Sequence, residues 1–354
     1  MKFKKYYHII YIIIVSLFTG YVMLDTFVIP RSEVDASQVN MSMFGDEEAS
    51  SSARPSREGS SSARPSGEGS SSASKEKPSR ASKGSRSAPV PGFVGGRGSE
   101  PGGSSTSVVT HSGDYQDYKD DNISIKMSEY NENGTKIYVA DVTISSAKYL
   151  KTAFANDQFG KNITASTSSI AESKNAIFAV NGDYSGATDE GYVIRNGVIY
   201  RDVGSKGTDI LCIHTDGSFE ITNSDEKSAE QLLSEGVWQA FSFGPALVEN
   251  GEISVDQQAK VGREMASNPR TAVGMIDKNH YVFVVSDGRT DESEGLSVYE
   301  LAQFMQKLGA KTAYNLDGGG SSTMYYNGEV INNPTTTGKS INERKVSDIV
   351  YIGY

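Results

Sequence analysis

One stretch near the end of the chain, Asp317 to Ser322 (DGGGSS), limits the folds available to this sequence more than any other. It follows a short apolar run, Ala313 to Leu316. Before that run, apolar residues at helical spacing over Ser297 to Leu308 predict an amphipathic helix. Three consecutive glycines are unfavourable inside a strand, because glycine loses the most conformational freedom on ordering. They suit a backbone that lies very close to another group or that turns its N–H groups toward an anion. A tight turn between two strands is the simpler alternative.

Two other apolar runs end in the same way as this one. Residues 176–180 (AIFAV) lead into Asn181-Gly182-Asp183, and residues 282–285 (VFVV) lead into Ser286-Asp287-Gly288-Arg289. Asn-Gly and Asp-Gly are also ordinary turn pairs, so each loop alone is weak support for a site. Since strand ends place side chains rigidly and glycines leave room for a substrate, we predict that Asp183, Asp287 and Asp317 converge on one cleft.

Arginines and small polar residues near these loops are candidates for substrate binding. Arginine is the preferred side chain for bidentate contact with phosphate or carboxylate, although a salt bridge to a neighbouring aspartate is the alternative. The candidate substrate- or phosphate-binding residues are Asn181, Gly244, Arg270, Arg289, Gly318, Gly319, Gly320, Ser321, Ser322 and Arg344. Asp183 and Asp287 are also candidate ligands for Ca²⁺, a hard cation that prefers oxygen ligands, but no loop has a dedicated calcium spacing.

Composition excludes several classes of function. The formal net charge is −10, whereas nucleic-acid binding needs a basic surface, so we predict no nucleic-acid partner. With one cysteine, Cys212, no intrachain disulfide can form, and the four scattered histidines leave no Cys/His zinc cluster. The sequence also has no phosphate-binding P-loop, no G-x-S-x-G nucleophile motif and no H-E-x-x-H zinc motif.

Residues 1–30 form the first predicted region. Three lysines, Lys2, Lys4 and Lys5, precede an apolar run from Tyr6 to Leu24 that is nearly long enough, as a helix, to cross a membrane core of about 30 Å. We predict an uncleaved single-pass transmembrane signal anchor with its N-terminus inside and the C-terminal domain extracellular. A cleaved signal peptide is the alternative. Few cysteines in an exported protein suit a Gram-positive-type bacterium.

Residues 31–114 form the second predicted region, a disordered linker. Residues 50–59 (SSSARPSREG) and 60–69 (SSSARPSGEG) are a ten-residue repeat. Serine, glycine, proline and arginine with almost no large apolar residues bury too little surface to offset the entropy of ordering. The sequence therefore predicts a flexible tether between the anchor and the third region.

Residues 115–354 form that third region, the folded domain. Alternating strands are joined at Asn-Gly or Asp-Gly pairs at positions 133, 196, 216, 250 and 327, which favour hairpins. Helical spacing is also present over Tyr149 to Phe159 and Ser168 to Lys174. Many hairpins with a few helices predict an α+β fold, with a mainly antiparallel sheet and packed helices.

Six segments of this domain closely resemble the phosphodiester glycosidase family. They are NGDYSG (181–186), FSFGPALVENGE (241–252), NPRTAVGMID (268–277), VVSDGR (284–289), AYNLDGGGSSTM (313–324) and ERKVSD (343–348). The resemblance covers roughly Asp121 to Tyr354 and departs where the family's usual aromatic pair after Asn-Gly is replaced by Asp183-Tyr184. The family includes the "uncovering enzyme" of the lysosomal pathway and many bacterial proteins once called exopolysaccharide biosynthesis proteins.

The resemblance implies an enzyme that cleaves a sugar-1-phosphodiester at the glycosidic bond, giving free sugar and a phosphomonoester. Such cleavage needs a carboxylate near the anomeric carbon. We therefore predict Asp317 as the leading catalytic residue and Asp183 or Asp287 as its partner. The expected partners are a sugar phosphodiester or an anionic wall glycopolymer, and the membrane through the N-terminal helix. Two alternatives stay open: a non-catalytic module that binds cell-wall glycopolymer, and a metal-dependent phosphodiesterase that cuts the P–O bond.

Overall fold

A computed structural model describes residues 7–29, 31–45, 115–256 and 267–354 of the chain. Helix α1, Tyr7–Phe27, lies in the predicted first region. Across the described residues, however, none of the helices reaches the combination of length and apolar character that a membrane span requires. The structure therefore supports a helix at this place but does not support the predicted transmembrane anchor.

The segment 31–45 differs from the predicted linker. Strand β1, Arg31–Asp35, pairs antiparallel with β6, Gln158–Lys161. After a 3₁₀ turn over Met41–Phe44, the ring of Phe44 packs edge-on against Trp238 with centroids 4.9 Å apart. These contacts correct the predicted boundary, because the segment is part of the folded domain. Residues 46–114, with the ten-residue repeats, lie outside the described residues.

The largest sheet has eight strands. They are β2 (Tyr118–Lys119), β3 (Ile123–Glu132), β4 (Thr135–Ile144), β13 (Ala246–Glu249), β14 (Glu252–Ile253), β15 (Arg270–Asp277), β16 (His280–Ser286) and β17 (Thr312–Asn315), in the order β14-β13-β17-β15-β16-β4-β3-β2. β3 and β4 alternate and are joined at Asn133-Gly134, as the sequence predicts.

Two five-stranded sheets complete the main architecture. One has the order β19-β18-β7-β20-β5 and contains β5 (Leu150–Phe154), β7 (Phe178–Asn181), β18 (Met324–Tyr326), β19 (Glu329–Val330) and β20 (Asp348–Ile352). The other has the order β11-β10-β12-β8-β9 and contains β8 (Val193–Arg195), β9 (Val198–Arg201), β10 (Asp209–His214), β11 (Phe219–Asn223) and β12 (Val237–Phe241). All strand pairs of the described residues are antiparallel, which confirms the predicted α+β fold.

In the described part of the chain, three short helices pack on these sheets: α2 (Thr167–Ser173), α3 (Ala229–Ser234) and α4 (Val298–Lys307). The prediction for α4 is confirmed. Ser297 caps its N-terminus in a capping box with Glu300. The predicted helix over Tyr149–Phe159 is wrong, because that stretch forms β5, a 3₁₀ turn and β6.

The main core lies where the three larger sheets meet. Phe283 of β16 packs against Phe178 of β7 with ring centroids 5.0 Å apart, and Phe241 of β12 belongs to the same buried cluster. The antiparallel registers then bring several strand ends to one rim. Arg270 of β15 is opposite Ser286, the last residue of β16, and Asn181 of β7 is opposite Ile349 of β20. The loops that the sequence singled out leave the sheets at this rim.

Candidate active site

Hydrogen bonds join the Asp317 loop to the Asn181-Gly182 loop and to strand β15. The N–H of Asp317 donates to the carbonyl of Gly182 at 3.2 Å, and the side-chain amide of Asn181 donates to the carbonyl of Asp317 at 2.6 Å. The N–H of Leu316 donates to the carbonyl of Thr271 at 2.9 Å. Because the bonds run between backbones and a buried amide, the position of Asp317 at the rim is fixed. Asn181 is therefore a positioning residue in this structure.

The Asp317 carboxylate is buried and is held by Arg344. Nη2 of Arg344 lies 2.8 Å from Oδ2 and 3.1 Å from Oδ1 of Asp317, and Nε donates to Oγ of Ser321 at 2.9 Å. Burial raises the pKa of Asp317, and the Arg344 charge opposes that rise. The Arg344 side chain is 39% exposed against 12% for Asp317, so the pair opens toward solvent on the arginine side.

The three glycines are required by close approach. A Cβ on Gly318 would lie 2.9 Å from the carbonyl oxygen of Pro269, and one on Gly320 would lie 2.3 Å from Oγ1 of Thr336. Gly319 has φ +62°, and a Cβ there would lie 3.0 Å from Nη2 of Arg289. The structure thus confirms close backbone packing as the reason for the glycine run.

The same loop does not offer all its amides to an anion. The N–H of Gly319 donates to the carbonyl of Pro269 at 2.8 Å, so it cannot also bind phosphate. The N–H groups of Ser321 and Ser322 donate to carbonyls within the loop. The prediction that the amides of Gly318, Gly319 and Gly320 bind phosphate is therefore corrected at Gly319.

Two more predicted arginines lie against the glycine loop. Arg289 is half-buried, its Nη1 donates to the carbonyl of Thr336 at 2.7 Å, and its guanidinium faces Gly319. Arg270 is buried, and its Nε donates to the carbonyl of Leu296 at 2.8 Å. Arg289 and Arg344 therefore present positive charge near the surface. Arg270 is buried beside Gly318 and supports the loop.

The Asp183 carboxylate takes part in a buried network that the sequence did not predict. Nη2 of Arg195 donates to Oδ1 of Asp183 at 2.7 Å, and its Nε donates to Oδ2 of Asp348 at 2.9 Å. All three side chains are at most 2% exposed, and the guanidinium lies over the ring of Phe241 at 4.2 Å. The one available signal for Arg195 was a charged residue inside an otherwise apolar strand, directly before an Asn-Gly turn.

Asp348 gives this network a pH dependence. Burial raises its pKa to about 6, with Arg195 opposing and Asp183 adding to the rise. Between the ordinary pKa and this value the folded state binds more protons than the unfolded state, so stability falls as the pH rises through that window. We expect Asp348→Asn to remove ~2 kcal/mol of this fall, measured by urea unfolding between pH 4 and pH 7. The exposed acid variant Asp291→Asn is the control, and an unchanged slope in Asp348→Asn would contradict the assignment.

Asp287 is also engaged in structural contacts. Its Oδ1 accepts from the N–H of Asn333 at 2.8 Å, and its Oδ2 accepts from the Asn333 amide at 3.1 Å and from the Tyr138 hydroxyl at 3.2 Å. The Asn332 amide adds a contact at 3.3 Å. These bonds fix the loop that follows β19, so Asp287 has a positioning role in this structure.

The remaining candidates are spread around the rim. Ser321 lies in the Asp317–Arg344 cluster, whereas the Ser322 hydroxyl is buried and has no hydrogen-bond partner among the described residues. The carbonyl of Gly244 accepts from the side chain of Asn315 at 2.8 Å, so Gly244 supports the end of β17. The structure brings together Asp317, Ser321, Arg289 and Arg344.

The described residues do not fit a calcium site. Within them, no group of three or more His, Cys, Asp or Glu side chains is arranged to hold a metal ion. Asp183 is bonded to Arg195, and Asp287 is bonded to amides and a tyrosine hydroxyl. Ca²⁺ takes six to eight oxygen ligands, and these two carboxylates are already held by other side chains.

Comparison with known proteins gives three similarities. The chain is 30% identical over 241 residues to the SPbeta prophage-derived uncharacterized protein YomE of Bacillus subtilis, covering 62% of this chain and 37% of that protein. It is 33% identical over 109 residues to the mouse (Mus musculus) N-acetylglucosamine-1-phosphodiester alpha-N-acetylglucosaminidase, covering 30% of this chain and 21% of that protein. The chain thus matches well under half the length of either relative.

The third similarity concerns the fold. The zebrafish N-acetylglucosamine-1-phosphodiester alpha-N-acetylglucosaminidase catalytic domain, auto-inhibited by its pro-peptide, superposes with a TM-score of 0.52 at 20% identity, covering 69% of this chain and 86% of that one. The phosphodiester glycosidase family itself matches residues 174–353, just over half of the sequence, and this range includes all the candidate residues. The resemblance is confirmed: the chain belongs to the phosphodiester glycosidase family, a family of glycosidase-type hydrolases.

Proposed function

We propose that this chain hydrolyses a sugar-1-phosphodiester at the glycosidic C–O bond, releasing free sugar and a phosphomonoester. The observation that carries the proposal is one cluster in which the buried Asp317 carboxylate lies against Arg344, with Arg289 on the neighbouring glycine. A carboxylate for the anomeric carbon and cations for the phosphate are the two groups this reaction needs. The mouse relative is named for an N-acetylglucosamine-1-phosphodiester, so N-acetylglucosamine is the sugar that we propose.

Asp317 acts on the sugar in this proposal. Its carboxylate either attacks the anomeric carbon or takes a proton from the attacking water. Ser321 and Arg344 hold it in place, and Arg344 stabilises the ionised form against the effect of burial. The activity should therefore rise with pH as Asp317 loses its proton.

The arginines act on the leaving group. Among the described residues, Nη1 of Arg344 has no hydrogen-bond partner, so it can bind a phosphate oxygen while Nη2 keeps Asp317 in place. Arg289 lies on the other side of Gly319 and adds positive charge. A phosphomonoester is a good leaving group, so neutralising its charge replaces the proton that a sugar leaving group would need. This accounts for a site in which Asp183 and Asp287 are committed to other contacts.

We infer an extracytoplasmic location and an anionic wall glycopolymer as the natural substrate. The apolar run that follows three lysines at the N-terminus supports the location, and the substrate is inferred from that location. Protease treatment of intact cells tests the location, because an extracytoplasmic domain is digested while a cytoplasmic marker protein survives. Survival of the domain under conditions that digest a surface marker would contradict the inference.

The expected products of the full chain with the 4-nitrophenyl phosphodiester of N-acetylglucosamine-1-phosphate are N-acetylglucosamine and 4-nitrophenyl phosphate. Mass spectrometry after reaction in H₂¹⁸O should place the label on the sugar, because glycosidic cleavage breaks the C–O bond. Label in the phosphate, together with free nitrophenol and inhibition by EDTA, would indicate the metal-dependent phosphodiesterase instead. Binding of the substrate without turnover would indicate the non-catalytic module.

A further inference from the structure

Backbone strain in the described residues is confined to a few positions. Eleven non-glycine residues have a positive φ, and nine of them are asparagine or aspartate, the residue types that adopt this conformation most readily. The two exceptions are Tyr184, with φ +68°, and Arg289, with φ +64°. Strain of this kind persists only where the surroundings impose it, and it clusters at functional sites. Both exceptions lie in loops at the rim that carries Asp317.

Tyr184 lies within reach of Asp317. The carbonyl of Gly182 accepts from the Asp317 N–H at 3.2 Å, and Tyr184 is two residues further along the chain. Since consecutive Cα atoms are ~3.8 Å apart, the Cα of Tyr184 lies at most ~7.6 Å from that of Gly182. Tyr184 is 46% exposed although Asp183 and Ser185 on either side are buried, so its backbone is anchored and its side chain faces solvent.

Contacts on both sides hold the strained residue. Before it, the Asp183 carboxylate binds Arg195 at 2.7 Å and accepts from the Ser242 N–H at 3.1 Å. After it, the N–H of Gly186 donates to the Ser347 hydroxyl at 3.1 Å. None of these bonds involves the Tyr184 side chain. The buried network therefore presents the tyrosine in a fixed backbone conformation, which lowers the entropy cost of a contact made by its ring.

We propose that Tyr184 contacts the sugar, with its ring lying against the apolar C–H face of the pyranose whose anomeric carbon faces Asp317. The proposal rests on the proposed function and assigns the sugar end of the site, which the arginines leave open. Tyrosine suits this position, since its ring is apolar while its hydroxyl stays in water. Arg289, the other strained residue, then lies at the phosphate end of the same substrate.

The test measures binding with turnover blocked. In full-length chain carrying Asp317→Asn, titration calorimetry with N-acetylglucosamine-1-phosphate gives the Kd for Tyr184 and for its phenylalanine, alanine and glycine variants. We expect Tyr184→Phe to stay within ~2-fold and Tyr184→Ala and Tyr184→Gly to weaken binding ~10-fold, since only the last two remove the ring. Tyr354→Ala is the matched control. It removes another exposed tyrosine, which comes after the C-terminal end of β20, whereas Asp348 begins that strand.

The melting temperature separates a contact role from a structural one. Glycine adopts a positive φ readily, so Tyr184→Gly should keep or raise Tm by ~2 °C while it loses binding. Weaker binding that goes together with a Tm drop of more than ~5 °C in both truncating variants would overturn the proposal. Equal binding by all variants would also overturn it, and would leave the proposed function standing if the unmutated chain hydrolyses the phosphodiester. Both proposals fail if the unmutated chain does not cleave the phosphodiester and the Asp317→Asn chain does not bind the sugar phosphate.

Discussion

Replacing Asp317 by asparagine lowers kcat for the sugar phosphodiester by about 10³-fold or more and leaves the fold intact. The asparagine has the same shape and keeps an oxygen that accepts from Arg344, so the loop retains its contacts with Gly182 and Asn181. It lacks the negative charge that attack on the anomeric carbon requires. Steady-state kinetics and circular dichroism of the same preparation measure the two effects.

A second aspartate provides the control for this experiment. Asp277 is exposed and is the last residue of β15, the strand that Arg270 begins at the rim. Asp277→Asn therefore makes the same chemical change at the other end of the strand. We expect it to leave kcat and KM unchanged. If Asp317→Asn kept more than a tenth of the activity of the unmutated chain, Asp317 would not be the catalytic carboxylate and the proposed chemistry would need another residue.

Arg195→Met lowers the free energy of unfolding by about 3–5 kcal/mol. The guanidinium is 1% exposed and is the cation shared by Asp183 and Asp348, whose side chains are 2% and 1% exposed. Without it, two carboxylates are buried together with no positive charge between them, and one of them must take up a proton. Urea unfolding at pH 7.5, well above the pKa of Asp348, gives the largest effect.

Two further variants identify the cause of that loss. Arg195→Lys keeps the charge but cannot bond both carboxylates with separate nitrogens, so we expect an intermediate loss. Adding Asp183→Asn and Asp348→Asn to Arg195→Met removes the stranded charges and should recover part of the stability. A loss below ~1 kcal/mol in Arg195→Met would show that water enters the network and that the ions are not desolvated.

Local signals predicted much of the fold. The Asn-Gly pairs at positions 133, 196, 250 and 327 all turn with a positive φ at the asparagine, as their residue types require. Helix α4 follows from its apolar spacing and its serine cap. The predicted helix over Tyr149–Phe159 was wrong, because pairing of β5 with β20 and of β6 with β1 overrides the local preference of that stretch. Strand pairing depends on partners distant in sequence, which periodicity cannot show.

By itself the sequence determined which loops combine an acid with glycine at the end of a strand, because strand ends, glycines and acids are local features. It predicted that the glycine run after Asp317 lies very close to another group, and the close approach of Pro269 and Thr336 confirms that prediction. Only the tertiary structure shows which partner each acid has. Asp183 and Asp287 follow their strands just as Asp317 does. However, Arg195 donates to the Asp183 carboxylate, and Asn333 donates to the Asp287 carboxylate. The burial of these partners comes from packing across sheets, so the role of each aspartate depends on neighbours that are remote along the chain.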